Sequence, residues 1–198
     1  MQKIPTLFVR DFTAAPREGA PLPVLPEVTP GCEWVVAGEG IATRKWDGTC
    51  VMLDEYGAWW ARREVKRGKP IPDQFAPIST DPQTGKTVGW EPVAQTGWAK
   101  YHAEAVHNSS PDRPGTYELL GPRINGNTDD YPGHVLMPHG WAPFSVRNDY
   151  ASAPRDYTGL DAWLRARPYE GIVWHHDDGR MAKIKKLDFP GHGEGSSS

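Results

Sequence analysis

The sequence predicts an antiparallel α+β fold, and three observations carry that reading. Twenty prolines and twenty-one glycines in 198 residues favour short strands and long loops over a helical bundle. Apolar runs of strand length outnumber stretches with helical spacing. Two pairs of these runs are separated only by short turn sequences, as in hairpins.

In order along the chain, residues 4–12, with Ile4, Leu7, Phe8, Val9 and Phe12, read as a short strand. Pro16, Pro21, Pro23, Pro26 and Pro30 follow and exclude a helix, so this stretch is expected to run extended over the surface. Trp34-Val35-Val36 and Ile41-Ala42-Thr43 read as strand pieces leading to Lys45. Residues 50–65 read as a hairpin, Val51-Met52-Leu53 returning through Trp59–Val65 around Glu55-Tyr56-Gly57. Residues 68–89, rich in Pro, Asp, Thr and Gly, are expected to be loop. Trp98, Tyr101, Ala105 and Val106 have helical spacing over 98–107. Thr116–Leu120 and His134–Met137 are short strands. The clearest helix covers 158–167: Leu160, Trp163 and Leu164 share a face, Thr158 and Asp161 have capping-box spacing, and Pro168 closes it. Gly171–His175 and Met181–Lys186 form a hairpin around Asp177-Asp178-Gly179. One domain over 1–190 and a disordered tail over 191–198 are expected.

Composition narrows the function classes. Hydrophobic residues are 38% and charged residues 24%, the balance of an ordinary globular protein. No apolar run reaches the roughly 18 residues that cross a membrane, so no membrane partner is expected. No apolar leader opens the chain. Cys32 and Cys50 read as reduced structural thiols of a cytoplasmic protein. A net charge of −3 argues against a generally basic nucleic-acid coat. Two local basic segments remain: Arg62, Arg63, Lys66, Arg67 and Lys69, then Arg180, Lys183, Lys185 and Lys186. They suit one phosphate-rich ligand.

The chain is organised around Arg44-Lys45-Trp46-Asp47-Gly48-Thr49. Lysine is the amine side chain that can become a nucleophile near neutral pH, and Asp-Gly supplies a tight turn. Arg62 and Arg63 lie on the return strand of the following hairpin, where a guanidinium could reach phosphate or ribose. Glu118 is a carboxylate in an otherwise apolar strand, on the face opposite Tyr117 and Leu119. Glu170 opens the strand Gly171–Trp174. Lys183 and Lys185 share a strand face, opposite Ala182 and Ile184, and repel each other unless an anion lies between. By parity Lys186 joins the opposite face. A nucleophilic lysine, two carboxylates, an arginine and a lysine pair are what nucleotidyl transfer to lysine needs.

That order of motifs resembles the covalent nucleotidyltransferase superfamily of ligases and RNA capping enzymes, and within it the ATP-dependent RNA ligases. Arg44–Cys50, Glu118–Asn127, Glu170–His175 and Lys183–Phe189 are most similar to the small 5′–3′ RNA ligase family that has a vertebrate member. The resemblance implies an ATP-grasp-like, antiparallel adenylyltransferase domain of the ligase and capping-enzyme type, here without an OB domain. It implies a reaction with ATP and Mg²⁺ or Mn²⁺ in which Lys45 becomes lysyl–AMP and RNA 5′-phosphate and 3′-hydroxyl ends are joined. It assigns Glu118 to the ribose hydroxyls, Glu170 to a hydrated metal with help from Asp47, and Lys183 and Lys185 to the α-phosphate. Arg44, Trp46, Asp47, Gly48 and one or both of Arg62 and Arg63 fall among the nucleotide contacts. Phe144 and Trp141 are the candidates to stack on adenine, and spacing does not choose between them. A protein partner is expected to stand in for a C-terminal domain. A GTP-dependent capping guanylyltransferase, a DNA nick ligase and a non-catalytic nucleotide- or RNA-binding module are the alternatives. No histidine spacing suggests a zinc site.

Overall fold

The computed structural model describes residues 4–82, 84–139 and 150–191. In chain order its elements are β1 (Phe8–Arg10), β2 (Val24–Val28), α1 (Glu33–Val36), β3 (Ile41–Lys45), β4 (Thr49–Leu53), β5 (Trp59–Val65), β6 (Ala76–Thr80), β7 (Thr87–Pro92), α2 (Ala99–Ser109), β8 (Gly115–Leu120), β9 (Val135–Pro138), α3 (Tyr157–Arg165), β10 (Gly171–His175) and β11 (Met181–Lys185). They fall into two compact units, one containing Asp47–Trp141 and the other Ile4–Trp46 with Ala142–Ser198. Strand pairs within each sheet are antiparallel, so the expected α+β class holds.

The first unit is a six-stranded sheet in the order β6-β7-β5-β4-β8-β9. Strand alternation divides it into two faces. Val51, Ala61, Tyr117, Leu119 and Leu136 point one way and form a core with Val93, Ala105 of α2 and Ile124. The β4–β5 turn is closed by Asp54. Its carboxylate accepts hydrogen bonds from the amides of Tyr56 (2.9 Å) and Ala58 (2.8 Å) and from the Trp60 indole (2.8 Å), the local bonding that makes aspartate a turn residue. His102 of α2 is buried edge-on against Trp59, ring centroids 4.6 Å apart. Burial pulls its pKa down from 6.5 to about 4.

The second unit pairs β1 with β2 and builds a three-stranded sheet, β11-β10-β3. Ile172, Trp174, Ala182 and Ile184 are buried on one face, in a core with Leu7, Phe8, Trp34, Leu160, Leu164 and Phe189. The outer edge of β11 is covered: Leu7 donates to the Lys183 carbonyl (2.7 Å) and Lys183 to the Pro5 carbonyl (3.0 Å). Gly171 sits where β10 passes β11, and a Cβ there would lie 2.0 Å from the Ile184 carbonyl oxygen. Only glycine permits that approach.

Four sequence expectations change. Trp34-Val35-Val36 belongs to the short helix α1, because a brief apolar run suits a buried helix as well as a strand. Residues 68–89 contain β6 and the start of β7; Thr-rich and Pro-containing edge segments hide their strand character. The cap of α3 is Asp156, which accepts from the Gly159 amide at 2.8 Å, so the Thr158/Asp161 capping box is not used. β11 ends at Lys185 and Lys186 begins a 3-10 turn, so strand parity does not extend to Lys186. The tail expected from 191 lies, apart from Gly191, outside the described residues.

Two stability outcomes follow. Gly171→Ala should destabilise the protein by about 2 kcal/mol through overpacking, lowering the urea midpoint at unchanged m-value; a midpoint equal to wild type would refute the tight crossing. His102 binds its proton more weakly folded than unfolded, so its contribution to stability is present above about pH 6.5 and is lost as pH falls toward 4. His102→Leu should flatten the urea midpoint over that window. Parallel profiles for variant and wild type would place the acid sensitivity elsewhere.

Candidate active site

Residues directly opposed in an antiparallel pair point to the same face. The register of the three-stranded sheet opposes Gly171 to Lys45 on one side and to Lys185 on the other. Two lysines therefore stand in one row with no side chain between them. The next row on that face is Thr43, Val173 and Lys183. Glu170, just before Gly171, fills the gap. Its Oε2 lies 2.5 Å from Lys45 Nζ, and its Oε1 pairs with Lys185 Nζ. This face gathers three ammonium groups against one carboxylate, a surplus of positive charge suited to an anion. An ion-paired ammonium has no lone pair to attack with.

Lys185 is fixed from behind. Its amide donates to Asp188 Oδ2 at 2.7 Å, and the fully buried Asp188 also pairs with Arg10 at 2.6 Å. Arg44, the neighbour of Lys45 on β3, points to the opposite face. Its guanidinium lies 4.3 Å from the Trp46 ring centre and 4.6 Å from that of Tyr169, a cation–π arrangement that orients Trp46. Lys186 donates to the Arg167 carbonyl, away from this row; burial lowers its pKa.

The first unit holds the other half of the expected residues. A Cβ at Gly48 would lie 2.3 Å from the Leu119 carbonyl oxygen and 2.6 Å from Glu118 Cγ. Glycine is required for close approach to β8, and its amide donates to Glu118 Oε1 at 3.2 Å. Asp47 is clasped by the segment after β8. Its Oδ2 accepts from Thr128 (3.1 Å), its amide donates to Asp129 Oδ2 (3.2 Å), and Asn125 Nδ2 donates to the Gly48 carbonyl (2.6 Å). Arg123, Asn125, Asn127 and Asp130 hold positive φ in that segment, a conformation that asparagine and aspartate tolerate better than most residues. Glu118 is buried, its Oε2 2.9 Å from His139 Nε2.

Parity separates the two arginines. On β5, Arg62 alternates with the core residue Ala61, while Arg63 follows Ala61 onto the core-side parity and reaches Glu91 at 3.7 Å. Arg62 Nε is buried without a hydrogen-bond partner among the described residues, an orphan donor that calls for one. Trp141 and Phe144 lie outside the described residues. His139 and Cys50 were not singled out as site residues by sequence; His139 sits just past β9, where only the strand register reveals that it shares the Glu118 face.

No protein-family model matches the chain. It is similar to RNA ligase 1 of Rattus norvegicus, with 28% identity across 93% of this chain and 79% of that protein. The Mus musculus protein of the same name gives 28% identity over the same shares. RNA ligase 1 of Danio rerio is 37% identical over 65% of this chain and 46% of its own length. Among the described residues no helix is long and apolar enough to cross a membrane.

Proposed function

We propose that this chain, a relative of the RNA ligase 1 proteins, is an ATP-dependent RNA ligase working through a covalent lysyl–AMP on Lys45. The observation that carries the reading is the row Lys45–Gly171–Lys185 with Glu170 across it and Lys183 one row on. A nucleophilic amine stands there beside cations that can hold the phosphate it attacks.

In this reading Lys45 Nζ, as the free amine, attacks the α-phosphorus of ATP. The N–P bond forms, the bond to the β-phosphate oxygen breaks, and pyrophosphate leaves with the electron pair. Lys183 and Lys185 hold the non-bridging oxygens as charge builds on them. The 5′-phosphate of an RNA end then displaces Lys45 from phosphorus and takes the AMP. The 3′-hydroxyl of a second end attacks that 5′-phosphate, loses its proton and expels AMP, sealing the strand. Glu118 is assigned to the ribose hydroxyls, and of the two arginines Arg62 is the one that shares the Glu118 face of its sheet and has a buried Nε without a hydrogen-bond partner among the described residues.

Mg²⁺ prefers oxygen donors and keeps part of its water. Glu170 fits it: both carboxylate oxygens already lie on cations, and a hydrated metal ion can take the place of one. Asp47 is the second carboxylate the motif offers. A metal held there would neutralise triphosphate charge, and the residue role that goes with it is Glu170 turned from Lys45, leaving the amine without its ion-pair partner.

Lys45→Ala and Lys45→Arg should abolish transfer of label from [α-³²P]ATP to the protein while leaving the circular dichroism spectrum unchanged; near wild-type labelling in either folded variant would overturn the assignment. Alanine at Lys183 or Lys185 should slow that step on the order of a hundredfold. Lys186→Ala, whose amine is spent on the Arg167 carbonyl, should leave it nearly intact. Equal loss in all three would show that position along this segment does not matter. Excess EDTA should stop labelling in the wild type, and full labelling in its presence would remove the metal from the reading.

A further inference from the structure

The face of the six-stranded sheet away from its core brings three unlike metal-ligating side chains together. Cys50 on β4 is directly opposed to Glu118 on β8, and Met137 on β9 is opposed to Glu118 on its other side, with His139 two residues further on the same face. One ligand atom from each of Cys50, Glu118 and His139 lies within 4.8 Å of the other two. Bonds of about 2.0 to 2.3 Å around a tetrahedral Zn²⁺ put neighbouring ligands roughly 3.3 to 3.8 Å apart. Closing by about 1 Å, and opening the 2.9 Å Glu118–His139 contact by a few tenths, therefore suffices.

The outer partners are also in place. Thr116, two residues before Glu118 on the same face, bonds His139 Nδ1 at 3.0 Å and leaves Nε2 directed at the cluster. The Gly48 amide holds the other oxygen of Glu118 at 3.2 Å. Partners of this kind orient metal ligands in known sites. The donor set discriminates between ions: thiolate and imidazole favour Zn²⁺ and its neighbours, and a hard ion such as Mg²⁺ prefers oxygen. A thiolate and a carboxylate balance the two charges of the ion. Binding displaces the Cys50 thiol proton to solvent.

We propose that Cys50, Glu118 and His139 form a three-ligand site for Zn²⁺ or a similar borderline ion, and that its occupancy withdraws Glu118 from any other use. The second half rests on the assignment of Glu118 to the nucleotide made above; the first does not.

Co²⁺ titrated into the whole metal-free 198-residue chain without ATP is the direct probe. Thiolate-to-cobalt charge-transfer absorption should appear at one equivalent in wild type and in Cys32→Ser, and be lost in both Cys50→Ser and Cys50→Ala at unchanged circular dichroism. His139→Ala should weaken it at least tenfold. Absorption that is absent in wild type, or that survives in the Cys50 variants, would overturn the site. Zn²⁺ should then inhibit self-labelling by [α-³²P]ATP in wild type at a concentration at least tenfold below that needed in Cys50→Ser, and equal sensitivity would overturn the coupling. Absence of any self-labelling, with the cobalt spectrum as expected, would count against the ligase reading and not against the metal site.

Discussion

The Glu170 carboxylate shared between Lys45 and Lys185 is the interaction on which the rest of the second unit's site depends. Two ammonium groups opposed across a single strand repel each other at the separation a sheet imposes, and a carboxylate between them reverses the sign. The geometry works because Gly171 contributes no side chain to the row and lets β10 lie against β11 at the Ile184 carbonyl. The lysines are thus placed by backbone register, which varies little, while a single carboxylate holds the charges of Lys45 and Lys185 together. Breaking a partly buried pair by removing one partner leaves an uncompensated charge, so loss of Glu170 would set the two lysines against each other.

The first unit uses the same device in a different place. Gly48 comes so close to β8 that no other residue fits, and its amide meets the Glu118 carboxylate. In both units a glycine lets two backbones approach and thereby fixes the carboxylate beside it. The glycines of K-x-D-G and E-G-I-V are explained by packing inside each sheet. The turn chemistry that Asp-Gly suggests is secondary: Asp47 is held by Asn125, Thr128 and Asp129, side chains far along the chain.

Much of the site was legible because strand alternation is a strict code. Lys183 and Lys185 opposite Ala182 and Ile184, and Glu118 opposite Tyr117 and Leu119, came directly from period-two patterns, and the structure keeps them. The code failed where a strand end had to be known. Parity predicts a face for Lys186 that does not exist, because the buried Asp188 at the end of β11 leaves no periodic trace. Trp34-Val35-Val36 is too short to show a period. Residues 68–89 read as loop because β6 is an edge strand with little buried surface. His139 escaped for a different reason: its relation to Cys50 and Glu118 exists only in the lateral pairing of β4, β8 and β9, which no local pattern encodes. The choice between Arg62 and Arg63 likewise waited on knowing that Ala61 faces the core.

The register of β3 has a consequence for the order in which the protein is made. Its partner in the sheet, β10, lies 125 residues further on, as counted between Lys45 and Glu170, and the whole of Asp47–Trp141 is synthesised between them. All six strands of the larger sheet lie within that stretch and can pair as they emerge. β3 must wait, and a long loop has to be closed before its ladder forms. A chain interrupted at any point before Glu170 carries the K-x-D-G motif entire, yet lacks the carboxylate, the glycine and both distal lysines that stand around Lys45. The row therefore exists only in chains whose synthesis has passed Lys185, so an incomplete copy of the protein cannot present it.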